Sequence, residues 1–418
     1  MTKQFFYTKV FELIFILIAV SSVTAIIQVY TGLPFDNTSL WWVIKFFVFC
    51  FLLLTFNFYN TKDQVILMRV ITFYLALNIL NIVWGGVLSE GYWDYKGLIT
   101  NGFALLVPLF AYFGTNKELM QSMLANFFKF GLLVFITLLI FMPPVGYGYY
   151  LVPFTLVALF LPGLTSRWKL LIVFLICFVV ISDISARSTV IKFVIPLLCC
   201  VMFYFRRLFT EKVLNVIRII LIIMPILFLT LAVTDTFNVF NIKSYISGSE
   251  SSFTVNQYGE LNEEDLLADT RTFLYVETLD TADFYNSWLF GRSPARGTMS
   301  DAFGDGDLNE RGERLGNEVA ILNIFTWTGL VGVIFYGLIF YQASFFAITR
   351  SNNYFCKILG IYIAFRWGYG WVEDFTIFSL TYVLLWLMIG MCYSKQFREM
   401  NDSEFTRWAR GIFDSGYR

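Results

Sequence analysis

Long apolar runs alternate with short polar breaks from residue 11 to residue 233, and again from 318 to 393. Most of the runs come near or exceed the roughly 18 residues that cross about 30 Å of hydrocarbon as a helix. The pattern predicts twelve spans: 11–29, 41–59, 65–85, 98–114, 124–142, 149–164, 169–183, 189–205, 213–233, 318–346, 354–368 and 375–393. The fold class this implies is all-α, a polytopic helical membrane protein. Its parts are 1–233 with spans one to nine, 234–317 as one long extracytoplasmic loop, 318–393 with the last three spans, and a tail over 394–418. In the tail Phe397, Met400, Phe405, Trp408 and Ile412 recur at helical spacing among charges. That spacing predicts an amphipathic helix lying on the inner leaflet.

Composition strengthens the membrane reading. The chain is 58% hydrophobic and only 14% charged, where a soluble domain is about a quarter charged. Basic residues then orient it. Lys3, Lys9, Lys62, Lys117, Arg167, Lys169, Arg206, Arg207, Lys212 and Arg350 fall on one side of the predicted threading, against Lys96, Arg187 and Arg366 in the opposite short loops. By the positive-inside rule both termini are cytoplasmic and the long loop faces outward. The run 11–29 lacks a small-x-small cleavage site and reads as an uncleaved first span.

A net charge of zero gives no basic surface for a nucleic acid. The chain contains no histidine, which excludes histidine bases and histidine-held metals. The six cysteines lie in or beside apolar runs, without the spacing of redox pairs or zinc sites. Asp301, Asp305, Asp307 and Glu310 lack the full calcium-loop pattern, and a solvated turn is the better reading. No metal or other cofactor is expected.

The polar groups that need explaining gather at the predicted outer rim. In ISDISARSTVI, residues 181–191, Asp183 and Arg187 sit at the edge of hydrocarbon. A central arginine costs roughly 2.5–3.5 kcal/mol on insertion scales, and less near the interface. Either the two pair at i,i+4, or Arg187 meets an anionic ligand. The long loop holds 15 acidic residues and six basic ones, of which five are arginines: Arg271, Arg292, Arg296, Arg311 and Arg314. A guanidinium fork binds phosphate through two parallel hydrogen bonds. Surface ion pairing is the simpler reading for Arg311 and Arg314. Glu318, at the start of the tenth span, is either a wet interfacial residue or a carboxylate placed to take a proton. Glu373 and Asp374 raise the same choice. Within the loop, 269–285 reads as a helix capped by Asp269 or Thr270, with Phe273, Val276 and Leu279 at helical spacing, and 297–316 reads as irregular. Trp93, Trp367 and Trp371 fall in outer loops, where such rings form an interfacial belt or stack against sugars.

Four segments in order carry a resemblance: ISARSTV opening a span, DTRTFLYVETLDTADF in the long loop, SWLFGRSPARG soon after, and EVAILNIFTWTGLVGVIFYG re-entering the membrane. Over roughly residues 180–340 the chain resembles the O-antigen polymerase and O-antigen ligase family of bacterial envelope proteins. Arg187 matches the arginine of that family's Ser-Arg motif, although Ala186 precedes it. Arg271 matches the arginine that leads the loop helix, Gly291 the first glycine of the following turn (with Arg292 after it), and Gly329 and Gly332 the glycine pair of the closing span. Glu318 stands where the ligase branch has its histidine, a departure that favours the polymerase branch.

The resemblance implies a metal-independent glycosyltransferase of the bacterial inner membrane. It would extend an O-antigen, capsule or exopolysaccharide from undecaprenyl-pyrophosphate-linked oligosaccharide, with a flippase and a chain-length regulator as partners. In this reading Arg187 and Arg271, then Arg292 and Arg296, grip the pyrophosphate. Glu318 or Asp183 serves as base, and Trp93, Trp367 and Trp371 contact sugars. The alternatives are ligation of glycan to another lipid or to protein, a lipid-phosphate-sugar glycosyltransferase, and a transporter of lipid-linked oligosaccharide. The last usually shows internal repeats and midplane charges, which this chain lacks.

Overall fold

The computed structural model describes residues 3–184, 186–234, 236–238, 240, 251–255, 261–265, 271–301 and 308–417. Among them, eight helices are long and apolar enough to cross a membrane: Lys3–Thr31, Thr38–Tyr59, Arg69–Leu88, Tyr92–Gly114, Lys117–Leu138, Arg187–Tyr204, Glu211–Val233 and Ala320–Thr349. Leu380–Tyr393 is a shorter apolar helix, and Ser166–Ser182 and Tyr354–Tyr369 fall just below that length. Large apolar side chains on the rim of this bundle point away from it: Leu54 is 82% exposed and Ile140 79%. A hydrocarbon surround accounts for such outward faces, because lipid tails solvate them as well as a core does.

The expected span 149–164 is not a continuous helix. It is cut into Pro144–Tyr150, Pro153–Ala158 and a single 3₁₀ turn, Leu161–Gly163. Pro143, Pro144, Pro153 and Pro162 each remove a backbone donor, so the run breaks wherever one falls. From Tyr150 to Leu161 the pieces are buried among other helices rather than set against lipid, the condition under which non-helical backbone survives at such depth.

The helix Ala320–Thr349 forms the centre of the bundle and packs on Tyr354–Tyr369, Arg69–Leu88, Leu380–Tyr393 and Glu211–Val233. Tyr74, Tyr336, Tyr382 and Trp386 meet in its core. The helix is broken at Gly329, whose φ of 65° and ψ of −168° lie in a region open essentially to glycine alone. The turn 288–292 seats itself in the break. The carbonyls of Trp288 and Leu289 accept from Leu330 and Val331 N–H at 2.8 and 3.2 Å, and Arg292 N–H donates to Thr326 O at 2.7 Å. The glycine of the loop turn and the glycine of the closing span therefore meet: a Cβ on Gly291 would lie 2.6 Å from Gly329 N, and one on Gly329 2.5 Å from Gly291 N.

The loop contains the predicted helix as Thr272–Phe284, and its proposed caps Asp269 and Thr270 lie outside the described residues. It also contains two antiparallel strand pairs that the hydropathy pattern did not predict, Ser251–Val255 with Leu261–Asp265 and Thr298–Met299 with Glu313–Arg314.

The tail corrects another expectation. Asp402–Arg410 is helical with a full capping box from Asn401 and Glu404, but its apolar face does not lie on a membrane. Phe397, Phe405 and Ile412 are buried in the protein itself, with Phe405 against Phe160 and Phe355. Trp408 Nε1 donates to Lys117 O at 2.9 Å and Arg410 Nε to Gly163 O at 2.9 Å. The broken span leaves a hollow at this end, and the tail fills it.

Candidate functional site

At the loop-bearing end, a cavity of about 330 Å³ is lined by Tyr149, Lys192, Arg271, Asn317, Glu318, Tyr369, Glu373 and Asp374, among others. Two backbone segments build it. Ala320 N–H donates to Glu373 O at 3.3 Å and Ile321 N–H to Gly370 O at 3.0 Å, which brings the start of the closing helix beside the connection 370–379. Buried amides lock that junction: Asn317 N–H donates to Asn323 Oδ1 at 2.7 Å, while Asn323 Nδ2 donates to Asn317 O and to Thr376 Oγ1. Glu318 and Glu373 are thereby held on neighbouring walls.

Arg271, the residue before the loop helix, joins both acids. Its Nη1 donates to Glu318 Oε2 at 2.6 Å, its Nη2 lies 3.9 Å from Glu373 Oε2, and its Nε donates to Val372 O at 3.3 Å. Arg314 Nη2 reaches the other Glu318 oxygen at 3.0 Å. Glu318 thus holds an arginine on each oxygen, and Glu373 keeps greater freedom. Burial pushes the Glu373 carboxyl above the usual glutamate range, against the pull of Lys192, Arg271 and Ser188. Burial likewise raises Asp374, against hydrogen bonds from Thr376 N–H and Oγ1 that favour its ionised form.

The remaining candidate residues take varied places. Arg187 is exposed at the first turn of the helix Arg187–Tyr204 and does not line the cavity; Ser188, whose carbonyl accepts from Tyr369 Oη at 3.1 Å, marks the wall beside it. Asp183 lies in the connection after the helix Ser166–Ser182, so it shares no helix with Arg187, and the i,i+4 ion pair is not formed. Arg292 and Arg296 stand away from the cavity. Arg292 is buried with Glu313 at 2.7 Å and donates to Gly297 O, its guanidinium 3.6 Å over the Tyr285 ring. Arg296 bonds Leu88 O at 2.6 Å and Asp94 at 3.2 Å, and Arg311 shares Asp94 and Glu90. These arginines staple the loop to the connection around Glu90 and Asp94.

Trp93 is partly exposed beneath Lys96, away from the cavity. Trp367 is not available to a sugar: it is buried beside Tyr336 and Phe340, and its Nε1 donates to Ile222 O at 3.0 Å. Trp367 sits on the helix Tyr354–Tyr369 itself, on a face turned into the bundle rather than in an outer loop. Trp371 lines a separate groove.

That groove, of about 650 Å³, adjoins the cavity along the chain, because Thr272 and Val372 line the groove and their neighbours Arg271 and Glu373 line the cavity. Its walls are Pro225, Phe228 and Leu229 of the helix Glu211–Val233, Val276 and Leu279 of the loop helix, and Trp371. Of the three apolar positions that periodicity singled out, Val276 and Leu279 line this open groove and Phe273 does not, while Leu274, Tyr275 and Thr278 make the buried face, Tyr275 reaching the groove as well. Tyr275 Oη donates to Trp371 O at 2.5 Å and fixes the helix over the groove.

Sequence reasoning passed over Lys192, and counted Tyr149 and Tyr369 only among the aromatics of the outer loops. A signal was present for Lys192, since an ionisable residue within an apolar run is a functional candidate by default.

Arg292 gives a test of the staples. Arg292→Ala leaves Glu313, 1% exposed, without its cation, and breaking such a buried pair costs about 3–5 kcal/mol. The expected outcome is a clear fall in the melting temperature of the purified protein and early proteolysis within 271–317. An unchanged melting temperature contradicts the structural role.

No family model matches the chain, and comparison with curated proteins and with solved structures yields no match either.

Proposed function

We propose that this protein is a membrane glycan polymerase, passing sugar from a polyprenyl-pyrophosphate donor to a lipid-linked acceptor at the outer face of the bacterial inner membrane. One observation carries the reading: a cavity holding Arg271 and three acids is lined by immediate chain neighbours of residues that line an apolar groove. A lipid with a charged head and a long hydrocarbon tail needs both environments side by side. The tail occupies the groove and the pyrophosphate enters the cavity.

The chemistry follows from those placements. The acceptor hydroxyl oxygen attacks the anomeric carbon of the donor sugar and its proton passes to Glu373. The bond from that carbon to the phosphate oxygen breaks, and the electron pair leaves with the pyrophosphate. Arg271 stabilises that charge, and preorganised donors aimed at a developing anion contribute several kcal/mol; Arg187, turned away from the cavity, takes no part. Glu318 orients Arg271.

The test is purified protein in liposomes with polyprenyl-pyrophosphate-linked oligosaccharide. Elongated glycan and free polyprenyl pyrophosphate are expected. Transfer of finished glycan to a different acceptor identifies a ligase, and movement across the bilayer without bond formation identifies a transporter; either overturns the proposal. The same assay carries a pH prediction. Glu373 works only when ionised, and its carboxyl is raised above the ordinary value of 4.5, so activity falls as pH drops through a range above that value. Ser188 favours the ionised form, hence Ser188→Ala moves this limb to higher pH. Glu373→Gln loses the activity at every pH.

A further inference from the structure

We propose that Lys192 is a second phosphate-binding group, facing Arg271 across the cavity and engaging the pyrophosphate from the membrane side. This assignment rests on the reading of the cavity as a pyrophosphate site, and nothing in the motif resemblance points to it.

Three observations carry it. The first is burial without a direct ion pair, since Glu373 acts on Lys192 only across the cavity. Lys192 is 6% exposed and lines the cavity, yet among the described residues its Nζ makes no hydrogen bond or ion pair. Its contact is the face of the Tyr149 ring, 4.7 Å from the centroid. A ring face is a weak substitute for an anion, and a buried charge without one costs several kcal/mol.

The second is its placement on the helix. Lys192 lies four residues after Ser188, so the two share one face of Arg187–Tyr204. Ser188 borders Tyr369 and Glu373, which directs that face into the cavity. Arg187, one residue earlier, is turned about 100° away.

The third is a further cation behind it. Arg366 is 2% exposed, and among the described residues its Nε and Nη2 find no hydrogen-bond partner. Its guanidinium lies 4.3 Å from the Phe375 ring and 5.3 Å from the Tyr369 ring, and both rings line the cavity. The local acids do not neutralise this group of cations. Glu318 is shared by Arg271 and Arg314, and Asp374 is turned to Thr376. Glu373 makes its 3.9 Å contact with Arg271, and no ion pair joins it to Lys192. A ligand with two adjacent phosphates completes the set, one held by the fork of Arg271 and the other by the point charge of Lys192.

The experiment uses the full-length protein in lipid nanodiscs and two probes, inorganic pyrophosphate and a polyprenyl pyrophosphate without sugar. Binding is read by calorimetry for the first and by native mass spectrometry of the bound lipid for the second. Lys192→Met removes the charge with a side chain of similar length, and its affinity for both probes is expected to fall at least tenfold. Lys192→Arg is expected to keep most of the binding. Binding of the lipid alone marks the headgroup as the ligand, and equal binding of both marks the phosphates as sufficient; each supports the site only where Lys192→Met weakens it. If Lys192→Met does not fold, the wild-type protein decides: pyrophosphate should protect Lys192 from an amine-directed reagent, as read by mass spectrometry. Unaltered binding by a folded Lys192→Met, or no protection, overturns the assignment. The outcomes also separate the two proposals. Lys192-dependent binding without glycan elongation removes the polymerase and keeps the site, whereas elongation unaffected in Lys192→Met removes only the site.

Discussion

Replacing Arg271 with alanine is expected to reduce glycan elongation by about two to three orders of magnitude while the protein still folds. The magnitude is that of removing one preorganised donor from a developing anion. Arg271 is partly exposed at the cavity rim and ends no buried pair, since both Glu318 and Glu373 reach solvent through the cavity. Its loss therefore leaves no sealed charge. Arg271→Lys keeps the charge but loses the fork that spans Glu318, Glu373 and the Val372 carbonyl, so it should recover only part of the rate. In a strain deleted for the gene and complemented with each variant, gels of envelope glycan should show single units for alanine, a short ladder for lysine and a full ladder for wild type. A full ladder from Arg271→Ala removes this residue from the mechanism.

The second large effect falls on folding. Gly329→Ala places a Cβ 2.4 Å from the Leu289 carbonyl in a backbone conformation that L-residues avoid. The conformation alone costs about 1–3 kcal/mol, and neither the loop turn nor the broken helix can retreat without losing the hydrogen bonds that join them. A loss above about 4 kcal/mol is expected, seen as failure to accumulate a monodisperse peak on size-exclusion chromatography. Gly312→Ala is the control. Gly312 has a φ of 70° but open space around it, so alanine there meets only the backbone term, about 1 kcal/mol. Equal behaviour of the two variants contradicts the argument from close packing.

The two effects concern the same design. The broken central helix accepts the loop turn, and the loop turn with its arginine staples holds the loop over the end of the bundle. Arg271 then arrives at Glu318 and Glu373 from a segment far away in the chain. A cavity assembled this way depends on the loop's staples as much as on its own lining, which is why Arg292→Ala is expected to act on folding and Arg271→Ala on chemistry.

Hydrophobicity is a local property, and what depends on it was legible in the chain alone. The all-α class, most of the membrane-length helices and the loop helix follow from runs and periods; Gly291, Gly329 and Arg271 were singled out by the resemblance of short motifs. Partner choice was not legible, because it joins residues far apart in the chain. Arg296 and Asp94 are such a pair, as are Trp408 and the Lys117 carbonyl. Five loop arginines look alike as letters; packing decided that Arg292, Arg296 and Arg311 hold the loop together while Arg271 opens on a cavity. Packing also buried Trp367, turned the tail's apolar face inward to fill the gap left by a proline-cut span, and set Lys192 in the cavity wall without a direct ion pair. Burial sets the energetic consequence of every charge, and burial exists only once the chain has folded.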